Sequence, residues 1–209
     1  MLTFSPPDEI STHRNQHGLP SIGILVTNLG TPSAPTKSSV RKYLKEFLSD
    51  PRVVEANRLV WWCVLNGIIL NIRPARSAKA YKGIWTKNGS PLLVHSERQA
   101  LLLQESIIRN GLENAHVELA MRYGHPSIKM GLEALRAKGC GKILILPLYP
   151  QYAAATTAST FDAVSDILRE WRWVPETRTV SSYHDHGLYI QALSNSIREI
   201  GRASCRERV

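Results

Sequence analysis

The chain has 209 residues, 43% of them hydrophobic, and a formal net charge of +9. This length and composition allow one domain, or one and a half, with a buried core, and they exclude a mainly disordered chain. No apolar run reaches the roughly 18 residues that a membrane-spanning helix needs. The positive charge suggests an anionic partner. Three cysteines without a C-x-x-C pair argue against a zinc site or a disulfide.

The two ends of the chain differ from its middle. Residues 1–20 are polar, with three prolines and two histidines, and they predict a flexible leader on a cytoplasmic protein rather than a secretion signal. Residues 200–209 resemble the translation of a common DNA-sequencing adapter, so we expect them not to belong to the natural protein. The chain stays basic without them.

Short apolar runs alternate with helical patterns along the chain. The apolar runs predict buried parallel strands at residues 22–29, 117–121 and 142–148, with a weaker strand at 177–181. The helical patterns cover residues 36–48, 96–110, 127–138, 157–170 and 188–199. Strands that alternate with helices in this way need right-handed crossovers. The sequence therefore predicts an α/β fold, a parallel sheet with helices on both faces.

Four loops follow the predicted strands, at the edge where open parallel sheets bind ligands. They cover residues 29–33, 122–126, 149–157 and 182–187. In the second loop, Arg122 followed by Tyr123 suits a carboxylate on a flat ligand, with the guanidinium on the acid and the ring against the plane. A surface ion pair explains Arg122 equally well.

The other loops carry weaker signals. Gly30 in the first loop fits a tight turn, since the sequence has neither a dinucleotide-binding fingerprint nor a phosphate-binding glycine–lysine run. Thr156 and Thr157 in the third loop predict caps of the helix that follows. His184 and His186 in the fourth would share one face of a strand, but no third metal ligand is near in sequence, so a plain loop is favoured.

Two further stretches carry aromatic residues. Arg73 and Arg76, followed by Tyr81, form a basic and aromatic stretch at a predicted helix start, which suits either an acidic ligand or a solvated helix end. Residues 59–70 are apolar and include Trp61. They form either core or an apolar patch that contacts a membrane surface or a ligand.

Five sequence blocks, in their order and spacing, resemble the ferrochelatase family of the bacterial protohaem type. They are Asn-Leu-Gly-Thr-Pro at 28–32, Phe-Leu-Ser-Asp-Pro-Arg-Val at 47–53, Gly-Ser-Pro-Leu at 89–92, Arg-Tyr-Gly-His-Pro at 122–126, and Tyr-Pro-Gln-Tyr at 149–152 with a threonine pair at 156–157. Each block alone is a modest signal, whereas five in register are specific. The resemblance covers about residues 21–199.

The resemblance implies two similar Rossmann-like halves with a porphyrin in the cleft between them. The first half would cover residues 21–175, and residues 176–199 would begin a truncated second half. The implied activity is the insertion of ferrous iron into protoporphyrin IX in haem biosynthesis, with iron as a substrate and no required cofactor. Eight residues match positions that line the porphyrin: Leu29, Phe47, Arg73, Tyr81, Arg122, Tyr123, Tyr149 and Tyr183.

The resemblance also implies which groups this chain does not contain. In the family, a histidine and a later glutamate flank the pyrrole nitrogens and are taken to hold the metal, and a base must accept the pyrrole protons. The matching positions lie beyond residue 199, so no catalytic or metal-binding residue is assigned here. We therefore expect the chain alone to lack chelatase activity and to fold poorly.

Several alternatives stay open. A coproporphyrin or cobalt chelatase shares the architecture, although the block at residues 47–53 favours the protohaem type. A non-catalytic porphyrin- or haem-binding protein would need no base. Nucleic-acid binding fits the charge but not its scattered distribution, so no nucleic-acid partner is expected. The sequence does not decide peripheral membrane contact, the oligomeric state or the presence of an iron–sulfur extension.

Overall fold

The computed structural model describes residues 21–206, with side chains described for residues 21–200. The leader predicted for residues 1–20 lies outside the described residues, as do residues 207–209. Of the stretch that resembles an adapter translation, residues 200–206 continue a helix in the backbone.

A four-stranded sheet forms the centre of the fold, and all of its strands are parallel. Its strands are β1 (Ser21–Thr31), β2 (Ala115–Gly124), β3 (Cys140–Pro147) and β4 (Glu176–Thr179), in the spatial order β2-β1-β3-β4. This arrangement confirms the predicted parallel α/β sheet of Rossmann-like type. The weak fourth strand is shorter than the predicted 177–181 and lies at an exposed edge of the sheet.

Seven α-helices surround the sheet in the described part of the chain. They are α1 (Lys37–Ser49), α2 (Arg58–Val64), α3 (Leu70–Ile84), α4 (Pro91–Arg109), α5 (Ile128–Ala137), α6 (Ser159–Arg169) and α7 (Gly187–Arg206). The caps of α1 and α5 follow the sequence rule, because the hydroxyls of Thr36 and Ser127 each accept a backbone N–H of the first turn. Helix α4 begins five residues before the predicted position, with Pro91 in its first turn.

Helices cover both faces of the sheet. Leu25 and Asn28 of β1 point to opposite faces because strand side chains alternate. Leu25 packs against α5, where a Cβ added to Gly131 would lie 2.6 Å from Leu25 Cδ1. Asn28 donates through Nδ2 to the hydroxyl of Ser96 on α4 at 3.0 Å. Helix α4 therefore covers one face, and α5 and α6 cover the other.

Two apolar clusters stabilise this arrangement. The first lies between the sheet and helices α5 and α6 and is aliphatic, with Leu25, Leu132, Leu135 and Ile145 fully buried. Each such side chain contributes about 1.5–3 kcal/mol by its burial. The second cluster packs α1 and α3 against the end of β2 and is partly aromatic. This second cluster positions the candidate site.

The segment between α1 and α4 departs from the prediction. A helix start was expected near Arg73, but α2, a π-helical turn (Leu65–Ile69) and α3 follow one another, so Arg73 lies inside α3. Pro74 also lies inside α3 and cannot donate to the carbonyl of Leu70, four residues earlier. The guanidinium of Arg41 on α1 donates to that carbonyl instead. The hydrogen bond from Arg41, on another helix, therefore satisfies the free carbonyl and allows α3 to continue past Pro74.

The predicted threonine caps are also wrong. Thr156 and Thr157 lie inside a π-helical turn (Ala154–Ala158) that leads into α6, and neither side chain caps a helix. Thr157 is fully buried instead.

Candidate functional site

The loops that follow the strands meet at one edge of the sheet, as parallel topology requires. Gly30, at the end of β1, has a φ of +106°, and a Cβ there would lie 1.8 Å from the carbonyl oxygen of Tyr123. Only glycine permits this approach of β1 to the end of β2. On the other side, the N–H of Tyr183 donates to the carbonyl of Pro150 at 2.9 Å, which joins the loops after β3 and β4.

A buried carboxylate connects three of the elements at this edge. Asp50 follows α1, and its side chain is only 3% exposed. Its Oδ2 accepts hydrogen bonds from Arg122 Nη2 at 2.6 Å, the Tyr123 hydroxyl at 2.7 Å and the Ser159 hydroxyl at 2.5 Å. Its Oδ1 accepts the backbone N–H of Arg52 at 2.7 Å. We call Asp50, Arg122, Tyr123 and Ser159 the Asp50 hub.

Asp50 is ionised at neutral pH. Burial alone would raise the pKa of Asp50, but hydrogen bonds from Ser159, Tyr123 and the Arg52 N–H, together with the charge of Arg122, hold it below the usual 3.8. Burial raises the pKa of Tyr123 to about 12, so its phenol stays protonated and donates. The hub therefore combines a carboxylate, a guanidinium and two neutral hydroxyls.

Arg122 is held by the protein itself. Its Nε donates to both the hydroxyl and the carbonyl of Ser159, at 2.7 and 2.9 Å, and its guanidinium carbon lies 4.5 Å from the centre of the Tyr123 ring. The ion pair considered from the sequence is present, with Asp50 as the partner, but it is mostly buried and not at the surface, because the side chains are 19% and 3% exposed. Among the contacts between described residues, its Nη1 makes no hydrogen bond.

Aromatic side chains pack against the Asp50 hub. The Phe47 ring meets the Tyr123 ring edge-on at 5.2 Å and lies parallel to the Tyr43 ring at 6.1 Å. Tyr81 of α3 and Leu29 of β1 pack against the same cluster and are partly buried. We call Tyr43, Phe47, Tyr81 and Tyr123 the aromatic wall. Tyr123 is fully buried, so it supports Phe47 from behind.

Tyr149 brings an unsatisfied polar atom to this region. Burial raises the pKa of Tyr149, and the phenols of Tyr43 and Tyr123 lie close enough to raise it further. Its hydroxyl is buried and has no hydrogen-bond partner among the described residues, as is also true of the hydroxyls of Thr27 and Thr157. A buried hydroxyl without a partner costs about 1–3 kcal/mol. Tyr149 is therefore a candidate contact for a polar atom of a ligand.

Two of the eight predicted residues lie at the margin of this cluster. Arg73 is on the exposed face of α3, two turns before Tyr81. Tyr183 packs edge-on against Tyr189 of α7 at 5.7 Å and is half-buried. The structure thus brings together Leu29, Phe47, Tyr81, Arg122, Tyr123 and Tyr149. It places Tyr183 in the loop bonded to Pro150, and Arg73 two turns away from Tyr81.

Comparison with known proteins decides the family. The ferrochelatase family model matches residues 21–208. The chain belongs to the ferrochelatase family. It is 58% identical over 184 residues to the ferrochelatase of Thioalkalivibrio sulfidiphilus and 55% identical over 184 residues to that of Aromatoleum aromaticum. Each alignment covers 88% of this chain and 50% of the relative, so the chain spans about half the length of these ferrochelatases.

Sequence reasoning missed two central residues of this ferrochelatase chain, Asp50 and Ser159. Asp50 lies in the block at residues 47–53, but nothing there gives it a partner, because Arg122 follows 72 residues later and Ser159 another 37. An aspartate directly after an apolar helix and before a proline was the one local signal. Its burial depends on contacts that only the folded chain provides.

The described residues hold no group of three or more His, Cys, Asp or Glu side chains that could bind a metal ion. His184 and His186 lie in an exposed turn before α7. Among the described helices, none is long and apolar enough to cross a membrane.

Proposed function

We propose that this chain forms one wall of the porphyrin cleft of a ferrochelatase, whose complete protein inserts ferrous iron into protoporphyrin IX and releases two protons. The family match supports the activity. The placement of the aromatic wall at the carboxyl edge of a parallel sheet is the structural observation that carries the proposal. Six of the eight residues expected to line the porphyrin lie in or beside this wall.

The wall suits the physical demands of metallation. A free porphyrin is flat, and metal enters only when the ring is bent and the two inner protons leave. Rigid aromatic and aliphatic surfaces can hold a bent ring at a strain of roughly 1–5 kcal/mol, offset by binding elsewhere on the substrate. Leu29 and the partly exposed Phe47 offer such a surface, and the edge-on contact with buried Tyr123 limits the movement of the Phe47 ring.

The propionates need a cation that the protein does not already use. Arg122 donates to Asp50 and Ser159, so we assign propionate binding to Arg73, which is exposed on α3 two turns before Tyr81. Arginine suits this role because its planar fork matches a carboxylate. Arg122 forms a neutral pair with Asp50 behind the wall.

The inner protons need a base, and the hub does not supply one. Asp50 accepts four hydrogen bonds, and its pKa lies below that of a free aspartate. A general base works best with a pKa near the operating pH. We therefore propose that the base comes from elsewhere in the complete protein, and that this chain alone binds porphyrin without metallating it.

We also propose that the segment around α2 contacts a membrane surface. Five large apolar side chains there are between 56% and 81% exposed: Leu59, Val60, Trp62, Ile68 and Ile72. Basic residues Arg58, Arg76 and Lys79 are exposed on the same helices. This combination suits an anionic lipid interface. In a flotation assay the chain should rise with anionic vesicles, and the Trp62→Glu variant should stay in the vesicle-free fraction.

The cytoplasmic location expected from the sequence stays a prediction.

A fusion protein tests the main proposal. Residues 21–199 of this chain are joined to the complementary half of the Thioalkalivibrio sulfidiphilus ferrochelatase, and the loss of porphyrin fluorescence is followed after anaerobic addition of ferrous iron. The fusion should metallate protoporphyrin, whereas the chain alone should bind it without turnover. A fusion that folds but fails to bind porphyrin would refute the proposal. Turnover by the chain alone would refute the assignment of the base to the rest of the protein.

A further inference from the structure

We infer that Asp50 is a positioning residue of the porphyrin site, whose carboxylate fixes the Tyr123 ring and the Arg122 guanidinium behind the aromatic wall. This inference rests on the proposed function. Asp50 has no exposed surface with which to touch the porphyrin itself, since its side chain is 3% exposed. It acts through the groups that it holds.

The hub connects three elements that are distant in sequence. Asp50 ends α1, Arg122 and Tyr123 end β2, and Ser159 begins α6. One carboxylate oxygen accepts all three side-chain donors within 2.5–2.7 Å. Asp50 Oδ2 is therefore a common acceptor that fixes the ends of α1 and β2 and the start of α6 relative to one another.

The hub also reaches the surface that would face the ligand. Asp50 lies three residues after Phe47, and its N–H donates to the Phe47 carbonyl at 3.4 Å. Its carboxylate holds the Tyr123 hydroxyl, and the Tyr123 ring supports the edge of Phe47 at 5.2 Å. Phe47 is thus held from its backbone and from its ring. Loss of the carboxylate would leave the backbone contact in place but would loosen the support of the Phe47 ring through Tyr123.

The chemistry of the hub favours a role in geometry over a role in stability. Apolar side chains of similar volume often replace a buried ion pair without loss of stability, so such a pair is weak evidence that stability is its purpose. Four hydrogen bonds instead define directions in space. They hold the Tyr123 ring and the Arg122 plane at fixed angles, which apolar packing does less strictly.

Asp50→Asn tests the inference in the full 209-residue chain. The change replaces one carboxylate oxygen by an NH2 group, which cannot accept a hydrogen bond, while three side-chain donors and one backbone N–H still face the side chain. We expect protoporphyrin IX to bind about tenfold more weakly, with its Soret band shifted toward that of the free porphyrin. Asp166→Asn is the matched control, because this carboxylate on α6 is 69% exposed and should leave affinity and spectrum unchanged.

Two further variants and a kinetic measurement make the test decisive. In the fusion protein, Asp50→Asn should lower kcat by more than the roughly tenfold rise expected in KM, because the loosened wall binds more weakly and also no longer holds the bent ring. Tyr123→Phe keeps the ring, removes one hydrogen bond and should shift the Soret band in the same direction. The Tyr123→Phe variant tests the positioning role on its own if circular dichroism shows that Asp50→Asn is unfolded.

The outcomes separate this inference from the proposed function. Folded Asp50→Asn and Tyr123→Phe chains with wild-type affinity and spectrum would overturn the positioning role and leave the proposed function intact. An unfolded Asp50→Asn chain with a wild-type spectrum for Tyr123→Phe would overturn it as well. A folded wild-type chain that does not bind porphyrin would overturn the proposed function itself.

Discussion

Replacement of Arg122 by methionine should destabilise the chain strongly, because it leaves the charge of Asp50 buried. Removal of one partner from a buried ion pair costs about 3–5 kcal/mol. Asp50 would keep three other donors, and the Arg122 side chain is 19% exposed, so we expect a loss near the lower end, about 3 kcal/mol. Urea unfolding followed by far-ultraviolet circular dichroism measures this change in the free energy of unfolding. Such a loss is a large share of the 5–15 kcal/mol that is typical of a domain.

A double variant distinguishes a buried charge from lost packing. Arg122→Met combined with Asp50→Asn removes both charges, so it should be less destabilised than the sum of the two single variants, by about 0.5–3 kcal/mol. The control is Arg169→Met, since Arg169 pairs with Asp166 on the surface, with side chains 80% and 69% exposed. It should cost at most about 1 kcal/mol. Strict additivity of the two hub substitutions would refute the reasoning.

Three other predictions concern acid, glycine and self-association. The pKa of Asp50 is held below its unfolded value of 3.8. Its contribution to stability is therefore present above pH 3.8 and is lost as the pH falls through the folded pKa. Urea titrations in acid should detect this loss in the wild type and not in Asp50→Asn. Gly30→Ala should cost more than about 2 kcal/mol because its Cβ would meet the Tyr123 carbonyl, whereas Gly83→Ala in α3, with open space around it, should stabilise by about 0.5–1 kcal/mol. Ile197 is 60% exposed on the apolar face of α7, so we expect the chain to self-associate through this face, and Ile197→Glu to reduce its apparent mass in size-exclusion chromatography.

Each of these predictions has a contradicting result. Equal acid sensitivity of wild type and Asp50→Asn would mean that the carboxylate is not the titrating group. A stable Gly30→Ala chain would mean that β1 and β2 do not approach as closely as the structure shows. A wild-type chain that elutes as a monomer would mean that the exposed side chains of α7 do not drive association.

The sheet could be predicted because its signals are local. Residues 22–29, 117–121 and 142–148 are apolar and β-branched, and glycines or caps mark the helices between them. The parallel direction of the strands could be predicted from the alternation of strands and helices. The spatial order of the strands could not be predicted, because it depends on the edge of the sheet to which each crossover leads.

The candidate site could be predicted only in part, for a physical reason. Loop positions at the carboxyl edge follow from topology, and so Arg122, Tyr123 and Tyr149 were found. Asp50 was missed because its burial comes from donors 72 and 109 residues away. The helix through Pro74 was missed because Arg41, on another helix, satisfies the carbonyl that the proline leaves free.

Hydrogen exchange with and without porphyrin is the most direct test of the central claim. The wild-type chain is exchanged in deuterated buffer alone and with excess protoporphyrin IX, and the protection of each segment is compared by mass spectrometry. We predict added protection at residues 29–33, 47–53, 122–126 and 149–157, which meet at the carboxyl edge of the sheet. Protection confined to α7, or no protection in a chain that binds porphyrin, would contradict the account.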